Sequence, residues 1–271
     1  MKVGILLFLM VPALALSADT GREIYAPTVS NIPRQFGRDF VDTAVDLGAY
    51  LASPVSWDKK DWATFLVVTG VTVGLFFVDR PIFFAFDPAK TKPVSDALEP
   101  IQLLGDFRTT AVPLSVLYVG SFFVHDKKLQ SAARLGIRSL MFQALINQTM
   151  KNVIFRRKVD SPWDFQLGPP RWEIPSPGAF PAGHSSNVWA VMSAFALVYE
   201  DDPVIPWVCY GLALGNNVAQ VLNRDHWISE IFFGAAMGYF TTTFLASRDE
   251  QRGFAVHLSP ESLALGYRME F

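Results

Sequence analysis

The sequence predicts an all-α fold: a six-helix bundle embedded in a membrane, with a small C-terminal β-hairpin. Three observations carry that reading. Hydrophobic residues make up 51% of the chain and charged residues 18%, a balance between an ordinary soluble protein and a polytopic membrane protein. Six long apolar segments lie between Trp62 and Ala246, separated by polar or Pro/Gly-rich joints. The last residues then change from a helical period to a strand-like one.

Taken in order, residues 1–18 read as a secretory signal. Lys2 gives a charged start, Val3–Leu16 a short apolar stretch, and Ala15, Ser17 and Ala18 the small residues suited to cleavage. A retained signal anchor is the alternative. Either one addresses the chain to a cell envelope, as a bacterial-type inner-membrane or periplasmic protein. Residues 19–61 form a polar, Pro-containing leader and an amphipathic helix. In that helix Phe40, Ala44, Val45 and Leu47 alternate with Arg38, Asp39, Asp42 and Asp46, a helical stripe with a wet face. The pattern fits a helix lying on a bilayer and a helix packed on the bundle equally well.

Residues 62–247 form the helical domain. Its apolar segments are about Trp62–Val78, Thr109–Val124, Leu135–Phe155, Ser186–Tyr199, Ile205–Leu222 and Trp227–Ala246. Most are near or below the ~20 residues needed to cross a bilayer. The third carries Arg138, Gln143, Asn147, Gln148 and Lys151, which is polar for a lipid-facing span. Six helices are therefore better supported than six spans, and a buried soluble bundle stays open. In residues 248–271, Leu263, Leu265, Tyr267, Met269 and Phe271 alternate with Ala264, Gly266, Arg268 and Glu270, and Phe254, Val256 and Leu258 alternate likewise with smaller or polar residues. Ser259–Ser262 separates the two runs, so they read as a hairpin.

Bulk properties exclude several functions. A net charge of -2 leaves no basic field for nucleic acid. The single cysteine, Cys209, excludes an internal disulfide and a cysteine-based metal site. It sits in an apolar run and reads as packing.

The chemistry gathers around two of the four histidines. His184 follows Phe180-Pro181-Ala182-Gly183 and opens one helix; His226 follows Asn223-Arg224-Asp225 and opens another. Helix N-termini offer unpaired N–H groups and a positive dipole end, which favour anions, and Gly183 allows close backbone approach. Two antiparallel helices between these histidines return the chain to the same end of the bundle. Lys151, near the end of the third helix, reaches that end as well.

His226 and Glu230 are four residues apart, on one helix face. A carboxylate bonded to one imidazole nitrogen leaves the other free to attack. Lys151 and Lys158 share a face if the third helix persists that far. Arg156-Arg157-Lys158 reads equally as a cationic helix end, a lipid-headgroup contact or a phosphate-binding cluster. Asp225 reads as a helix cap, and His125 and His257 as solvated. The Pro- and Trp-rich stretch Ser161–Phe180 is either a substrate lid, with Trp163 and Trp172 at the entrance, or a stiff surface crossing.

These residues resemble the motifs of the type 2 phosphatidic acid phosphatase and vanadium haloperoxidase superfamily. That family has Lys, six residues, then Arg-Pro; then Pro-Ser-Gly-His; then Arg, five residues, His, three residues, Asp. This chain has Lys151 with Lys158-Val159, then Pro181-Ala182-Gly183-His184, then Gln220, His226 and Glu230. The resemblance spans about residues 60–247. It implies an acid phosphatase/haloperoxidase-like bundle and phosphate-monoester hydrolysis through a phosphohistidine, on a lipid or isoprenoid phosphate or another small-molecule phosphate. His226 would be the nucleophile, Glu230 its orienting partner, and His184 the acid and then the base. Lys151, Lys158, Gly183 and Gln220 would hold phosphate oxygens, with Arg224 as a stand-in cation. It implies no metal or other cofactor.

The departures weaken the anion grip. Lys158 cannot reproduce the planar fork of Arg, and Gln220 removes a charge outright. Losing two charge-assisted hydrogen bonds costs about 3–6 kcal/mol, or roughly two to four decades of rate if all is felt in the transition state. A catalytically weakened or inactive member, acting as an anion- or lipid-binding scaffold, is therefore the rival expectation. A haloperoxidase would want the arginines that this chain lacks.

Overall fold

The computed structural model describes residues 32–86, 91–156, 165–167 and 179–257. The signal segment, Lys158, Trp163, Trp172 and residues 258–271 lie outside them. Among the described residues the chain forms eight α-helices: α1 (Ile32–Ala52), α2 (Lys59–Ala85), α3 (Lys92–Leu103), α4 (Phe107–Val124), α5 (Lys127–Val153), α6 (Gly183–Val198), α7 (Ile205–Leu222) and α8 (Ile228–His257). The six expected helices are α2 and α4–α8. The amphipathic segment is α1. Helix α3 was not foreseen, because Pro93 and Pro100 made it read as a joint.

Local chemistry sets the boundaries. Asp58 accepts from the amides of Lys60 and Asp61, at 2.7 and 2.8 Å, and Asp61 answers its backbone N–H. That reciprocal pair is a capping box at the start of α2. Asp106 caps α4 and Asp126 caps α5 in the same sense. His125 ends α4 in the left-handed region, with φ 56°.

Helix α6 is the centre. It is apolar on nearly all sides, as suits a buried helix, and packs against α5, α7 and α8. Its approach to α8 requires glycine. A Cβ on Gly238 would lie 2.3 Å from the Ser186 carbonyl oxygen, and one on Gly234 would lie 2.6 Å from that of Ala182. Small residues of this kind let helix backbones meet closely.

The structure settles how α1 is used, and its two faces are inverted. Asp39 and Asp46 point inward. Arg134 Nε reaches Asp39 at 2.6 Å, and Arg138 pairs with Asp46. Both arginines also bind Asp249, at 3.0 and 2.6 Å. Arg248 and Arg252 close on Asp46 from α8, at 3.0 and 2.5 Å. The outer side of α1 is apolar: Phe40 is 71% exposed and Leu51 67%. This ionic cluster lies at the opposite end of the bundle from Lys151, about 20 Å away by the helical rise over Arg138–Lys151.

Two expectations need correction. Helix α5 ends at Val153 and the chain turns into a short strand, β1 (Ile154–Arg156), paired antiparallel with β2 (Phe165–Leu167). The condition for a shared Lys151–Lys158 face, a third helix that persists to residue 158, is therefore not met. Helix α8 runs to His257, so Phe254 and Val256, expected in the first C-terminal strand, are helical. A period-two run that short does not outweigh the ion pairs anchoring the last turns of α8. In keeping with six helices rather than six spans, α2 and α4 are the two helices among the described residues long and apolar enough to cross a membrane. Both leave most of their surface exposed.

Candidate active site

The C-terminus of α5 and the N-terminus of α6 meet at one end of the bundle. A Cβ on Gly183 would lie 3.5 Å from Lys151 Nζ and 3.8 Å from Asn147 Nδ2. Ala182 sits at the N-cap of α6 and supplies no side-chain cap. Its own N–H donates to the Glu230 carbonyl at 3.2 Å, tying the start of α6 to the first turn of α8. Asn147 Nδ2 donates to Ser186 Oγ at 2.7 Å, and Ser185 Oγ lies 2.8 Å from both Asn217 Oδ1 and the Ile231 carbonyl. The uncapped amide turn is thus fixed from three helices.

His226 lies two residues ahead of α8 rather than inside it. Its Nδ1 is 2.8 Å from Glu230 Oε2, and the Glu230 side chain is wholly buried. That contact leaves Nε2 as the other ring nitrogen, the arrangement a histidine nucleophile needs. His184 is electrostatically coupled to His226. Burial first, and then His226, hold its pKa below the ordinary value, while Asp106 and Asp225 oppose the shift and Lys151 adds to it. Gly105, between α3 and α4, packs so close that a Cβ there would lie 2.5 Å from the His184 carbonyl oxygen. His184, His226, Glu230, Lys151 and Gly183 therefore come together as expected from the sequence.

The remaining candidates are placed differently. Gln220 is buried in the last turn of α7, with its Nε2 donating to Asn216 Oδ1 at 2.8 Å. Arg224 adopts φ 58° and stacks its guanidinium 3.9 Å above the Phe83 ring of α2. Asp225 is not a helix cap: its carboxylate accepts from Gln102 Nε2 of α3 at 2.6 Å. Lys158 lies outside the described residues.

Sequence reasoning gave Arg156 only as part of a cationic cluster and missed Asp79 and the buried pairing beside Glu230. Arg156 on β1 donates to Asp79 of α2 and to Ser229 of α8, both at 2.7 Å, and lies 3.4 Å from Glu230 Oε1. One signal was available, since Asp79 is a single acid at the end of a long apolar run.

Known proteins resemble this chain at three levels. A family model described as the PAP2 superfamily matches residues 136–253. A lipid A 1-phosphatase from Rhizobium etli is 21% identical over 244 residues, covering 80% of this chain and 95% of the relative. A lipid A 1-phosphatase from Rhizobium johnstonii is 22% identical over 244 residues, covering 80% and 90%. Among solved structures, a transmembrane PAP2-type phosphatidylglycerolphosphate phosphatase from Bacillus subtilis superposes with a TM-score of 0.52 at 14% identity. It covers 73% of this chain and 96% of that one, and it shows a shared fold.

Proposed function

Because the chain belongs to the PAP2 superfamily, we propose that it hydrolyses a phosphate monoester carried by a lipid, through a phosphohistidine on His226. The single observation that carries this reading is the buried Glu230 carboxylate 2.8 Å from His226 Nδ1, at the bundle end that also holds His184, Lys151 and Gly183. Nε2 of His226 attacks phosphorus as the ester P–O bond breaks, and His184 gives its proton to the departing alkoxide. His184 then takes a proton from water, hydroxide attacks phosphorus, and the P–N bond breaks to release phosphate and restore His226. Lys151, Lys158, Arg224 and the Gly183 N–H would hold the phosphate oxygens, and Gln220 would join them only by turning away from Asn216.

A lipid or isoprenoid phosphate is the substrate class. Two matched relatives are described as lipid A 1-phosphatases, and the apolar, exposed helices α2 and α4 flank the catalytic end. The test is phosphate release by purified protein from a panel of lipid and soluble phosphates, with acid-quenched and base-quenched trapping of the phosphoenzyme. A base-stable, acid-labile phosphoenzyme lost in His226→Ala supports the mechanism. No release from any member of the panel, with His226→Ala indistinguishable from wild type, refutes it.

One observation favours the weakened member as the second reading: Gln220 is turned onto Asn216 of its own helix, with no positive charge at the motif position. Under that reading the protein binds phosphate without turnover, and Gln220→Arg with Lys158→Arg creates activity.

A further inference from the structure

We propose that Arg156 and Asp79 are positioning residues for the nucleophile: an ion pair between β1 and α2 that fixes the first turn of α8 and the outer oxygen of Glu230, and so aims His226. The inference rests on His226 being the nucleophile and names what holds it.

Buried charges need a reason. Arg156 is 8% exposed, Asp79 1% and Glu230 0%. One Glu230 oxygen, Oε2, is engaged by His226. The other, Oε1, is buried with no hydrogen-bond partner and faces Arg156 Nη1 at 3.4 Å. A carboxylate held through one oxygen alone is free to turn, and the adjacent guanidinium removes that freedom. Arg156 is itself immobilised. Its Nη2 donates to Asp79 Oδ2 and its Nη1 to Ser229 Oγ, while the rings of Phe76 and Trp227 lie 4.7 and 5.2 Å from its Cζ.

Asp79 does a second job. Helix α8 begins at Ile228 after Trp227, a residue with no capping oxygen. The Ser229 N–H is one of the first-turn donors that a helix leaves unpaired, and Asp79 Oδ1 accepts it at 3.0 Å. An acid from α2 thus caps α8, on the favourable side of its dipole. Asp79, Arg156, Glu230 and His226 form one chain of contacts from an apolar helix to the attacking ring. Only a planar fork serves three partners at once, so lysine at 156 is an incomplete replacement.

The test uses the full chain with three variants: Arg156→Met, Arg156→Lys and the isosteric Asp79→Asn. Each is assayed for kcat, KM, the single-turnover rate of phosphohistidine formation, and competitive inhibition by inorganic phosphate. Misaiming a reacting group by about 1 Å costs on the order of 10²-fold, so Arg156→Met should lose about that much in kcat and in phosphohistidine formation. KM and phosphate inhibition should stay near wild type, Arg156→Lys should recover part of the loss, and Asp79→Asn should fall in the same direction. Equal phosphorylation rates in folded Arg156→Met and Asp79→Asn would overturn the proposal, as would losses that appear wholly in KM and phosphate binding. If wild type forms no phosphohistidine, the proposed function fails instead. The positioning role is then decided by a structure of Arg156→Met or, if that does not fold, of Asp79→Asn. Loss of the His226–Glu230 contact supports it, and persistence of that contact overturns it.

Discussion

Replacing Glu230 by glutamine keeps the side chain's size and removes its charge, which isolates what the carboxylate does for His226. The two groups are 2.8 Å apart and Glu230 is fully buried, so solvent screening is slight. A lower bound comes from hydrogen bonding: a bond to a charged group contributes about 1.5–3 kcal/mol, or roughly one to two decades of rate. An upper figure comes from the positive charge that develops on His226 as it bonds to phosphorus. Two unit charges about 4 Å apart at an effective dielectric near 20 interact by about 4 kcal/mol, or about three decades. We therefore expect Glu230→Gln to lower kcat by about 10- to 1000-fold with KM little changed, because Glu230 touches the histidine and not the substrate. Glu230→Asp, one methylene shorter, should fall between the two. The assay is single-turnover phosphohistidine formation beside steady-state phosphate release. Activity in Glu230→Gln within about threefold of wild type would sink the assignment of this carboxylate as the partner of the nucleophile.

Three further outcomes follow from the geometry. His184 must carry a proton to release the leaving group, and burial and His226 hold its pKa below the ordinary histidine value; its proton is therefore lost as pH rises through that lowered value, and kcat/KM measured across pH should show an alkaline limb that sets in on the acid side of the ordinary histidine range. Arg138→Met removes the guanidinium shared by the buried carboxylates of Asp46 and Asp249 but leaves them Arg134, Arg248 and Arg252, so it should cost about 1.5–3 kcal/mol, the contribution of a charge-assisted hydrogen bond, read as a lower Tm and faster proteolysis of α1. Gly238→Ala forces a Cβ to within 2.3 Å of the Ser186 carbonyl oxygen and should cost about 1–3 kcal/mol in thermal unfolding, whereas Gly211→Ala, which meets nothing within 4 Å, should be neutral or stabilising by up to about 1 kcal/mol.

What the sequence revealed and what it hid divide along physical lines. Long apolar runs broken by Pro, Gly and charge mark helices whatever their partners, so α2 and α4–α8 were legible. The meeting of Lys151, His184 and His226 was legible too, because an even number of antiparallel helices fixes which ends coincide. Helix α3 was hidden by Pro93 and Pro100, although proline in the first turn is compatible with a helix. Arg156 was visible only as part of a cationic cluster, and its role with Asp79 was hidden because it lies in a pairing across 77 residues, which no local pattern records. The wet face expected of α1 was misread for a related reason: a charged stripe is taken to meet water, and hydrophobic periodicity holds no information about the arginines on α5 and α8 that Asp39 and Asp46 face.

That inverted helix bears on where the bundle sits. In water, leaving a large apolar side chain exposed forgoes about 1.5–3 kcal/mol of burial, and α1 leaves out Phe40, Val41, Val45 and Leu51. It does so while enclosing Asp39 and Asp46, whose desolvation the facing arginines only offset. Both choices are unfavourable for a helix docked on a soluble bundle. Against acyl chains both become favourable: the apolar side meets lipid, and the charges turn to the bundle interior, where intramembrane ionisable groups are found. The aromatic group Trp57, Trp62 and Phe65, which joins α1 to α2 with ring centroids 5.0–6.0 Å apart, has the composition that favours a membrane–water boundary. Lipid-facing α1, α2 and α4 would then flank the buried helix α6, whose N-terminal, catalytic end opens beside the apolar surface. A substrate anchored by its hydrocarbon chains could present its phosphate there without leaving the bilayer, and a soluble phosphate with the same headgroup should be hydrolysed with a higher KM and a similar kcat.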